Sequence, residues 1–565
     1  MRYLPFKGLR HVALACALLC GTAPAFAGDV SLQGLGSASA HQRFIVSYKD
    51  SSADNRGRLS GSLREIARAV PARRGRALGL SSSRWLGVGP QLLVADRALD
   101  RVDAETLMRR LAADPAVKRV EVDMLLRPML VPNDSRLSEQ WALGTTSAGI
   151  NVRPAWDKAT GKGAVVAVID TGVTAHPELS ANVLAGYDFI SDAFIARDGN
   201  ARDTDAADLG DWAAANECGS GASASSSSWH GTHVAGIVAA AANNGAGTAG
   251  VAFNAKVLPV RVLGRCGGYL SDIADAIVWA SGGTVSGVPA NPTPARVINL
   301  SLGGIGSCST TLSNAIASAV SRGTSVVVAA GNSNIDVSQS VPANCPNVIA
   351  VAATTSAGAK ASFSNFGQGV DIAAPGQAIL STLNRGSTAA GSPSYAVYSG
   401  TSMAAPHVAG VVALMQSVAL NPLSAASVEA MLKSTARALP VACPQGCGAG
   451  LVNADGAVAA VIASTTLTSN AARSGLAAAT GGSLYYQVNV PAGTRSLRVA
   501  LSGGSGNADL SLRAGALPSD TAYNCRTAVV GNADSCTLSA PAPGVYYVRL
   551  KATLAFSAVT LVATY

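Results

Sequence analysis

The sequence is poor in charged and aromatic residues. Only 13% of its 565 residues are Asp, Glu, Lys or Arg and 5% are Phe, Trp or Tyr, whereas glycine occurs 59 times. A disordered chain or a coiled coil would carry far more charge, so this composition indicates a closely packed globular protein with many turns. The length predicts three or four domains.

Long apolar runs are also missing. No segment reaches the roughly 18 apolar residues that a membrane-spanning helix needs. The chain begins with basic residues, a short apolar core and Ala25-Phe26-Ala27 before Gly28, which is the pattern of a secretory signal peptide. We therefore predict a signal peptide at residues 1–27 and a secreted, extracellular product without a membrane span.

The positive net charge of +9 is confined to the N-terminal part of the chain. Residues 1–130 contain 20 basic and 11 acidic residues, and the remainder contains 22 of each. A nucleic-acid-binding surface is expected on the working domain of such a protein. Because the rest of the chain has no net charge, we do not expect it to bind nucleic acid.

Ten cysteines are present, of which Cys16 and Cys20 lie in the predicted signal peptide. The even number that remains in an exported chain indicates disulfides, for which 105 pairings are possible. No Cys-x-x-Cys occurs in the Cys443–Cys447 segment, so neither a zinc ribbon nor a thioredoxin-type motif is indicated. Spacing and chain order favour four pairs: Cys443 with Cys447, Cys525 with Cys536, Cys218 with Cys266, and Cys308 with Cys345.

Three regions differ in their pattern of apolar residues. Residues 42–127 predict a small α+β unit with the order β-α-β-β-α-β of ferredoxin-like domains. From about 140 to 460, continuous apolar strands alternate with helices, which indicates a parallel sheet buried on both faces. After a Ser/Thr/Ala-rich linker at 462–479, residues 480–565 show short alternating strands without a helix, as in a β-sandwich.

The stretch SGTSMAAPHVAG at 399–410 leads into a helix that is apolar around its whole circumference. A hydroxyl at the start of such a helix either caps it or acts as a nucleophile in the field of the positive helix terminus. The local sequence leaves both interpretations of Ser402 open.

A nucleophilic serine needs a base, an orienting carboxylate and donors for an oxyanion. His407 is unsuitable as the base because it lies about 140° around the same helix. His230 begins a second helix, and Asp170 ends an apolar strand where an unpartnered charge would be costly. Asn332 follows another strand end and can donate to an oxyanion. Taken singly, Asp170 and Asn332 also fit ordinary turn residues.

Four blocks of sequence resemble the signatures of the subtilisin family: IDTG at 169–172, HGTHVAG at 230–236, AAGN at 329–332 and GTSMAAPHVAG at 400–410. They occur in that family's Asp, His, Ser order, and the similarity covers Gln140 to about Val461. The resemblance implies an α/β catalytic domain with a three-layer, parallel-sheet subtilisin-like fold. It also implies a serine endopeptidase in which Ser402 is the nucleophile, His230 the acid/base and Asp170 its orienter.

The resemblance assigns further residues to the reaction. It implies that Asn332 and the backbone N–H of Ser402 hold the oxyanion. Residues of two segments resemble the strands between which a peptide substrate binds, and residues 333–342 are expected to line its first pocket. The expected substrate-binding residues are Ser301, Leu302, Gly303, Gly267 and Gly268.

Calcium is the expected cofactor, and no organic cofactor is indicated. Five aspartates are concentrated in residues 197–211, a density of oxygen ligands that suits Ca²⁺, although a solvated acidic loop is the alternative. The resemblance implies a second calcium position at Glu178 and Asn244. The five aspartates are Asp198, Asp203, Asp205, Asp208 and Asp211.

The resemblance also predicts the domain organisation. Residues 28–132 resemble a propeptide that assists folding and then inhibits the enzyme, with cleavage expected at 128–133. Residues 133–461 form the peptidase domain, and residues 480–565 look like the bacterial pre-peptidase C-terminal domain. The expected partners are protein or peptide substrates and the chain's own propeptide, and we expect a monomer.

Two other functions fit parts of the sequence. The protease fold could be inert and the C-terminal sandwich an adhesin-like binding module, but the intact set of blocks disfavours this. An esterase or lipase could use the same serine. Its Gly-x-Ser-x-Gly elbow is missing, because residue 404 is Ala.

Overall fold

The computed structural model describes residues 28–36, 40–49, 62–72, 75–124, 131–491 and 493–565. The predicted signal peptide, with Cys16 and Cys20, and the first half of the predicted cleavage region, 128–130, lie outside these residues. The chain divides into two compact units, 1–128 and 129–565, and each is described by itself.

In the described residues of the first unit, five strands form one sheet, which two α-helices and a 3₁₀ helix (Gln33–Gly36) accompany. Its core forms where alternate residues of a strand face a helix. Phe44 and Val46 of one strand are buried together with Leu107 and Leu111 of a helix. The strand order β1-β5-β2-β4-β3 confirms the ferredoxin-like prediction and adds one short strand, β1, parallel to β5. The elements are β1 (Asp29–Ser31), β2 (His41–Tyr48), α1 (62–67), β3 (Leu80–Trp85), β4 (Gln91–Leu99), α2 (Arg101–Ala112) and β5 (Val117–Val122).

The second unit is built on a seven-stranded sheet whose strands are all parallel. Its strand order is β14-β13-β11-β9-β6-β8-β7. The parallel sheet of continuous apolar strands predicted for residues 140–460 is therefore present. The strands are β6 (Val165–Asp170), β7 (Tyr187–Asp188), β8 (Lys256–Arg261), β9 (Val297–Leu300), β11 (Ser325–Ala329), β13 (Val348–Thr354) and β14 (Ile372–Pro375).

This sheet is buried on both faces, which explains its uninterrupted apolar strands. In β6, Val166 and Val168 belong to one hydrophobic core, while Ala167 and Ile169 belong to the other. Successive side chains of a strand point to opposite faces, so every position must be apolar when helices cover both sides. The predicted three-layer α/β architecture is confirmed.

Helices cover the sheet, and two short antiparallel strand pairs lie beside it. The helices are α3 (Arg153–Trp156), α4 (Ala193–Ala196), α5 (His230–Ala239), α6 (Leu270–Ala280), α7 (Thr310–Ser321), α8 (Thr401–Val418), α9 (Ala425–Thr435) and α10 (Ala454–Thr465). Two antiparallel pairs accompany them: β10 (Gly304–Ile305) with β12 (Ser340–Val341), and β15 (Ile379–Asn384) with β16 (Pro393–Tyr398).

Helices α5 and α8 both begin at the carboxyl edge of the sheet and run through the core. Residues 403–415 of α8 are buried without interruption, as its apolar circumference predicts. Small residues permit the close approach of neighbours. A Cβ on Gly231 would lie 2.1 Å from the carbonyl oxygen of Gly172, and one on Gly410 would lie 2.6 Å from Cβ of Val251.

The C-terminal part is antiparallel, as predicted for a β-sandwich. The 21-residue strand β23 pairs with β18 and β20 along its first half and with β17 and β19 along its second. The segment 462–479, predicted as a linker, contains the end of α10 and the strand β17. The strands are β17 (Ala472–Ala478), β18 (Ser483–Val490), β19 (Ser496–Ser502), β20 (Ser505–Ala514), β21 (Cys525–Thr527), β22 (Ser535–Ser539) and β23 (Gly544–Thr564).

Within the described ranges the structure contains four disulfides, and they are the four pairs that spacing and chain order favour. They join Cys218 to Cys266, Cys308 to Cys345, Cys443 to Cys447, and Cys525 to Cys536. Among the residues that the structure describes, no helix is long and apolar enough to cross a membrane.

Candidate active site

The last residue of β6 and the first residue of α5 meet at the carboxyl edge of the sheet. The imidazole Nδ1 of His230 lies 2.8 Å from Oδ1 and 3.0 Å from Oδ2 of Asp170. Asp170 is fully buried, and its Oδ1 also accepts a bond from the N–H of Thr171 at 2.8 Å. This carboxylate therefore fixes the ring so that Nδ1 carries the hydrogen and Nε2 is left to exchange a proton.

The surroundings of His230 favour its protonated form. Burial opposes the charge, but attraction by Asp170 and the hydrogen bond to it outweigh burial, and Asp211 and Asp208 add to the attraction. The pKa of His230 is therefore raised above its ordinary value of 6.5. The neutral imidazole that a base requires forms as the pH rises through this raised pKa.

Ser402 lies in the first turn of α8 and is half-buried. Its Oγ donates to the carbonyl oxygen of Ser301 at 3.1 Å, and Oγ of Ser301 donates back to the carbonyl oxygen of Ser402 at 2.8 Å. The N-cap position belongs to Gly400, and no side chain caps this helix. The capping interpretation of Ser402 is therefore wrong, and its hydroxyl stands at the positive end of the helix.

Asn332 lies beside Ser402 with its amide orientation fixed. Its Oδ1 accepts bonds from N–H and Oγ1 of Thr401 at 2.8 Å and 2.9 Å. The acceptor end of the amide is thus occupied, and the Nδ2 donor is the end that is left for a ligand. Thr401 itself was missed by sequence reasoning, although its place beside Ser402 in the GTS block was a usable signal.

A cleft of about 710 Å³ opens in front of Ser402 and Asn332. All five predicted substrate-binding residues line it: Ser301, Leu302, Gly303, Gly267 and Gly268. From the segment 333–342, the residues that line it are Ser333, Ser340, Val341 and Pro342. Asp336 is not among its walls and instead accepts a bond from the N–H of Ser338. Among the residues that the structure describes, no charged side chain lines this cleft.

A second carboxylate stands behind the Asp170–His230 pair. Oδ2 of Asp208 accepts a bond from Oγ1 of Thr171 at 2.6 Å, and that hydroxyl accepts one from the N–H of Gly231 at 2.9 Å. Burial raises the pKa of Asp208 to about 6. The hydroxyl of Thr171 thus links the IDTG and HGTHVAG blocks and is itself held by Asp208. This role of Asp208 was not predicted from the sequence.

The other histidines near the core are structural. His176 and His233 contact the carbonyl oxygens of Ser394 and Ala396, and His407 contacts that of Met403. Burial lowers the pKa of His233 to about 3 and that of His407 to about 4. His230 is therefore the histidine suited to proton transfer.

The five aspartates of residues 197–211 do not converge on a cation site. Asp198 binds the guanidinium of Arg261 at 3.0 Å, while the other four accept bonds mainly from N–H and hydroxyl groups of neighbouring segments. In the described part of the chain, no group of three or more His, Cys, Asp or Glu side chains is arranged to hold a metal ion. The residues in this loop do not fit the predicted calcium ion.

At the second predicted calcium position, Glu178 and Asn244, the carboxylate is buried and forms no short hydrogen bond to the described residues. Glu178 is buried, and its carboxylate has only long contacts, with Nδ2 of Asn244 at 3.4 Å and with the hydroxyl of Tyr395 at 3.3 Å. Burial raises its pKa, an effect that these bonds oppose and the charge of Asp134 reinforces. Asp134 is also buried, and no ion pair of either carboxylate occurs among the described residues.

Comparison with known proteins supports the interpretation of this site as that of a serine protease. Residues 161–456 match the Subtilase family of peptidases, and residues 482–552 match the bacterial pre-peptidase C-terminal domain. The chain is 65% identical, over 553 residues, to an extracellular protease of Xanthomonas campestris pv. campestris, covering 96% of this chain and 95% of that protein.

The chain belongs to the subtilase family. This subtilase is also 40% identical over 446 residues to an extracellular basic protease of Dichelobacter nodosus, with 77% of this chain and 72% of that protein covered. A solved protease structure from Pseudoalteromonas arctica is 54% identical, with a TM-score of 0.58, and covers 59% of this chain and 100% of that chain. These matches confirm the predicted family, the serine-protease class and the secreted location.

Proposed function

We propose that this subtilase is a secreted endopeptidase that cleaves proteins through an acyl-enzyme, using Asp170, His230 and Ser402, and that it is made as a self-processed zymogen. The observation that carries the proposal is the bond between Nδ1 of His230 and Asp170 at the rim of the cleft that holds Ser402 and Asn332.

The substrate binds as an extended strand between two edges of the cleft. Gly267, Gly268 and residues 301–303 all line the cleft. In the proposal, main-chain bonds to these segments give affinity and pockets give specificity. A peptide held in this way places its carbonyl carbon in front of Oγ of Ser402.

Acylation begins with attack by Ser402. Its Oγ forms a bond to the carbonyl carbon, and its proton passes to Nε2 of His230, while Asp170 stabilises the imidazolium that results. The hydroxyl must first turn from the carbonyl oxygen of Ser301 toward the imidazole. Such rotation is expected, since catalytic bonds of free enzymes often tighten only when substrate binds.

The negative charge of the tetrahedral intermediate is held by two donors. Nδ2 of Asn332, oriented by Thr401, is one, and the backbone N–H of Ser402 at the start of α8 is the other. His230 then gives its proton to the leaving amine as the C–N bond breaks. Water, activated by the same imidazole, hydrolyses the acyl-enzyme and restores the serine.

Residues 28–132 act in the proposal as an inhibitory propeptide that the enzyme itself removes. Support comes from the independently packed ferredoxin-like unit. The peptidase domain then spans 133–461 and the C-terminal sandwich 480–565.

Self-processing can be tested with the Ser402→Ala variant. The secreted variant is expected to keep the segment from residue 28 to about 130 attached, because the nucleophile that releases it is missing. Intact mass and N-terminal sequencing, beside the wild-type protein, check this. Release of the segment from the variant in a host without extracellular proteases would contradict the proposal.

A structural calcium ion is proposed at Glu178 rather than in the loop 197–211. Two buried carboxylates without a basic partner, next to the amide of Asn244, form the kind of oxygen-rich donor set that Ca²⁺ takes. The ion would neutralise Asp134 and Glu178 and hold the loop at Asn244 to the core.

Removal of calcium is expected to lower the melting temperature by several degrees. An ion present at 100 times its Kd stabilises the folded state by about 2.7 kcal/mol. Calorimetry of the wild-type protein and of Glu178→Gln, with and without EGTA, checks this. The variant is expected to lose the response, and a wild-type melting temperature indifferent to EGTA would contradict the site.

A further inference from the structure

A second pocket lies beside the substrate cleft, on the side of the imidazole. It has a volume of about 380 Å³ and shares Leu263, Cys266, Gly267 and Ser301 with the larger cleft. The two pockets are therefore neighbours along one groove. An extended substrate that fills the large cleft next to Ser402 presents its adjacent residue to this second pocket.

The outer wall of the second pocket comes from residues 213–225, the segment that follows the acidic loop 197–211. Residues 213 and 225 pair through two backbone bonds, of 3.1 Å and 2.9 Å, and make a small hairpin. A disulfide from Cys218 to Cys266 ties this hairpin to the substrate-binding edge. The wall is thus held covalently at the groove and is not a free loop.

One carboxylate faces this pocket. Asp211 is half-buried at the base of the hairpin, and its two oxygens accept bonds from N–H and Oγ of Ser228 at 2.6 Å and 2.7 Å. These bonds aim the carboxylate and leave it further acceptor capacity, because an ionised carboxylate offers about four acceptor positions. Its charge is felt at His230, which lines the same pocket.

The nearby cations are occupied elsewhere. Arg197 lies over the ring of Trp212 and within 3.7 Å of Glu217, and Arg265 is bonded to the same Glu217. Neither guanidinium lines the pocket. Within the described chain, Asp211 forms no ion pair, so its negative charge is available to a ligand.

We infer that Asp211 makes this subtilase prefer substrates with lysine or arginine at the position immediately before the residue whose carbonyl is attacked. The inference rests on the proposed endopeptidase function and names a specificity determinant for it. The residue at the scissile bond enters the uncharged large cleft. Its basic neighbour places its cationic end against Asp211, beside the imidazole.

The inference predicts a charge preference that one substitution removes. Two series of peptides are compared that differ only by lysine or its uncharged isostere norleucine at this position. For the wild-type enzyme, kcat/KM is expected to be about five- to tenfold higher with lysine, as a partly shielded ion pair gives. For Asp211→Asn the ratio is expected to fall to about one, because the amide keeps the bond from Ser228 but lacks the charge.

The ratio separates specificity from a general effect on catalysis. If Asp211 only tuned the pKa of His230, the substitution would change kcat/KM equally for the lysine and norleucine peptides. The ratio of the two kcat/KM values would then stay the same. Asp205→Asn is the matched control, since it removes the same charge from an exposed position of the same loop. Its ratio is expected to remain that of the wild type.

Three outcomes overturn the inference. They are a wild-type ratio near one, an unchanged ratio in Asp211→Asn, and an equal fall in Asp205→Asn. In each of these cases peptides are still cleaved and the proposed function stands. Failure of the wild-type enzyme to cleave any peptide of either series would overturn the proposed function as well.

Discussion

Replacing Asp170 by asparagine is expected to lower kcat for peptide hydrolysis by about 10⁴-fold while KM changes little. The amide cannot hold the imidazole with hydrogen on Nδ1 and cannot stabilise the imidazolium, so the base is misoriented and its protonated form loses its partner. The magnitude is that known for serine-protease triads, including a subtilisin, and is used here by analogy. Initial rates with a chromogenic peptide after complete processing provide the measurement.

The same variant should change the pH dependence of the residual activity. The charge of Asp170 is what raises the pKa of His230 against burial, so its removal lets that pKa fall. The acid limb of kcat/KM is therefore expected to move to lower pH in the variant. Asp192→Asn, a surface change that affects only a helix cap, should leave both the rate and the limb in place. A wild-type rate in Asp170→Asn would contradict the assignment of the orienter.

Replacing Asn332 by alanine is expected to lower kcat by about 10²- to 10³-fold, again with little change in KM. The range is the one observed for an oxyanion donor of a subtilisin. The donor acts on charge that develops only in the tetrahedral intermediate, so ground-state binding of the peptide is hardly affected. Steady-state kinetics on a single peptide separate kcat from KM.

Asn332→Asp distinguishes a donor from a structural role. Aspartate keeps the acceptor oxygen that Thr401 binds, but it has no N–H to offer and adds a repelling charge. If Asn332 donates to the oxyanion, this variant is expected to lose at least as much activity as the alanine variant. Recovery of activity in Asn332→Asp would show that the residue merely anchors Thr401.

The sequence predicts the site well where chemistry is tied to the ends of secondary structure. Asp170 ends an apolar strand and His230 and Ser402 begin helices, so a parallel sheet must bring these ends to one edge. Individual side-chain contacts between segments that are distant in the sequence could not be predicted. The bonds from Thr401 to Asn332 and from Thr171 to Asp208 depend on how loops pack, and no local pattern specifies this.

The calcium prediction shows the opposite limit. Counting aspartates in residues 197–211 measures the density of oxygen atoms, whereas a cation needs several of them to converge. In the folded chain Asp203 and Asp205 each accept a bond from the backbone N–H two residues later, and Asp198 pairs with Arg261. The composition of the loop could not predict this ion pair, because Arg261 belongs to strand β8 and is far from Asp198 in the sequence.

The segment 462–479, predicted as a linker between the peptidase domain and the sandwich, is a structured connection. Its small residues resemble a flexible connection, yet they continue helix α10 and then form β17 against the long strand β23. Two bonds between the side chain of Asn421 and the backbone of Tyr485 join the sandwich to the peptidase region. Pairing with a distant strand decided the structure of a segment whose own propensities are weak.

The central claim is that Ser402 is a nucleophile activated by His230 and Asp170. Covalent labelling with a fluorophosphonate, followed by peptide mapping by mass spectrometry, tests it most directly. The account predicts a single labelled serine, Ser402, and labelling that is slower by orders of magnitude in Asp170→Asn. Label on another serine, or equally rapid labelling of Ser402 in that variant, would contradict the claim.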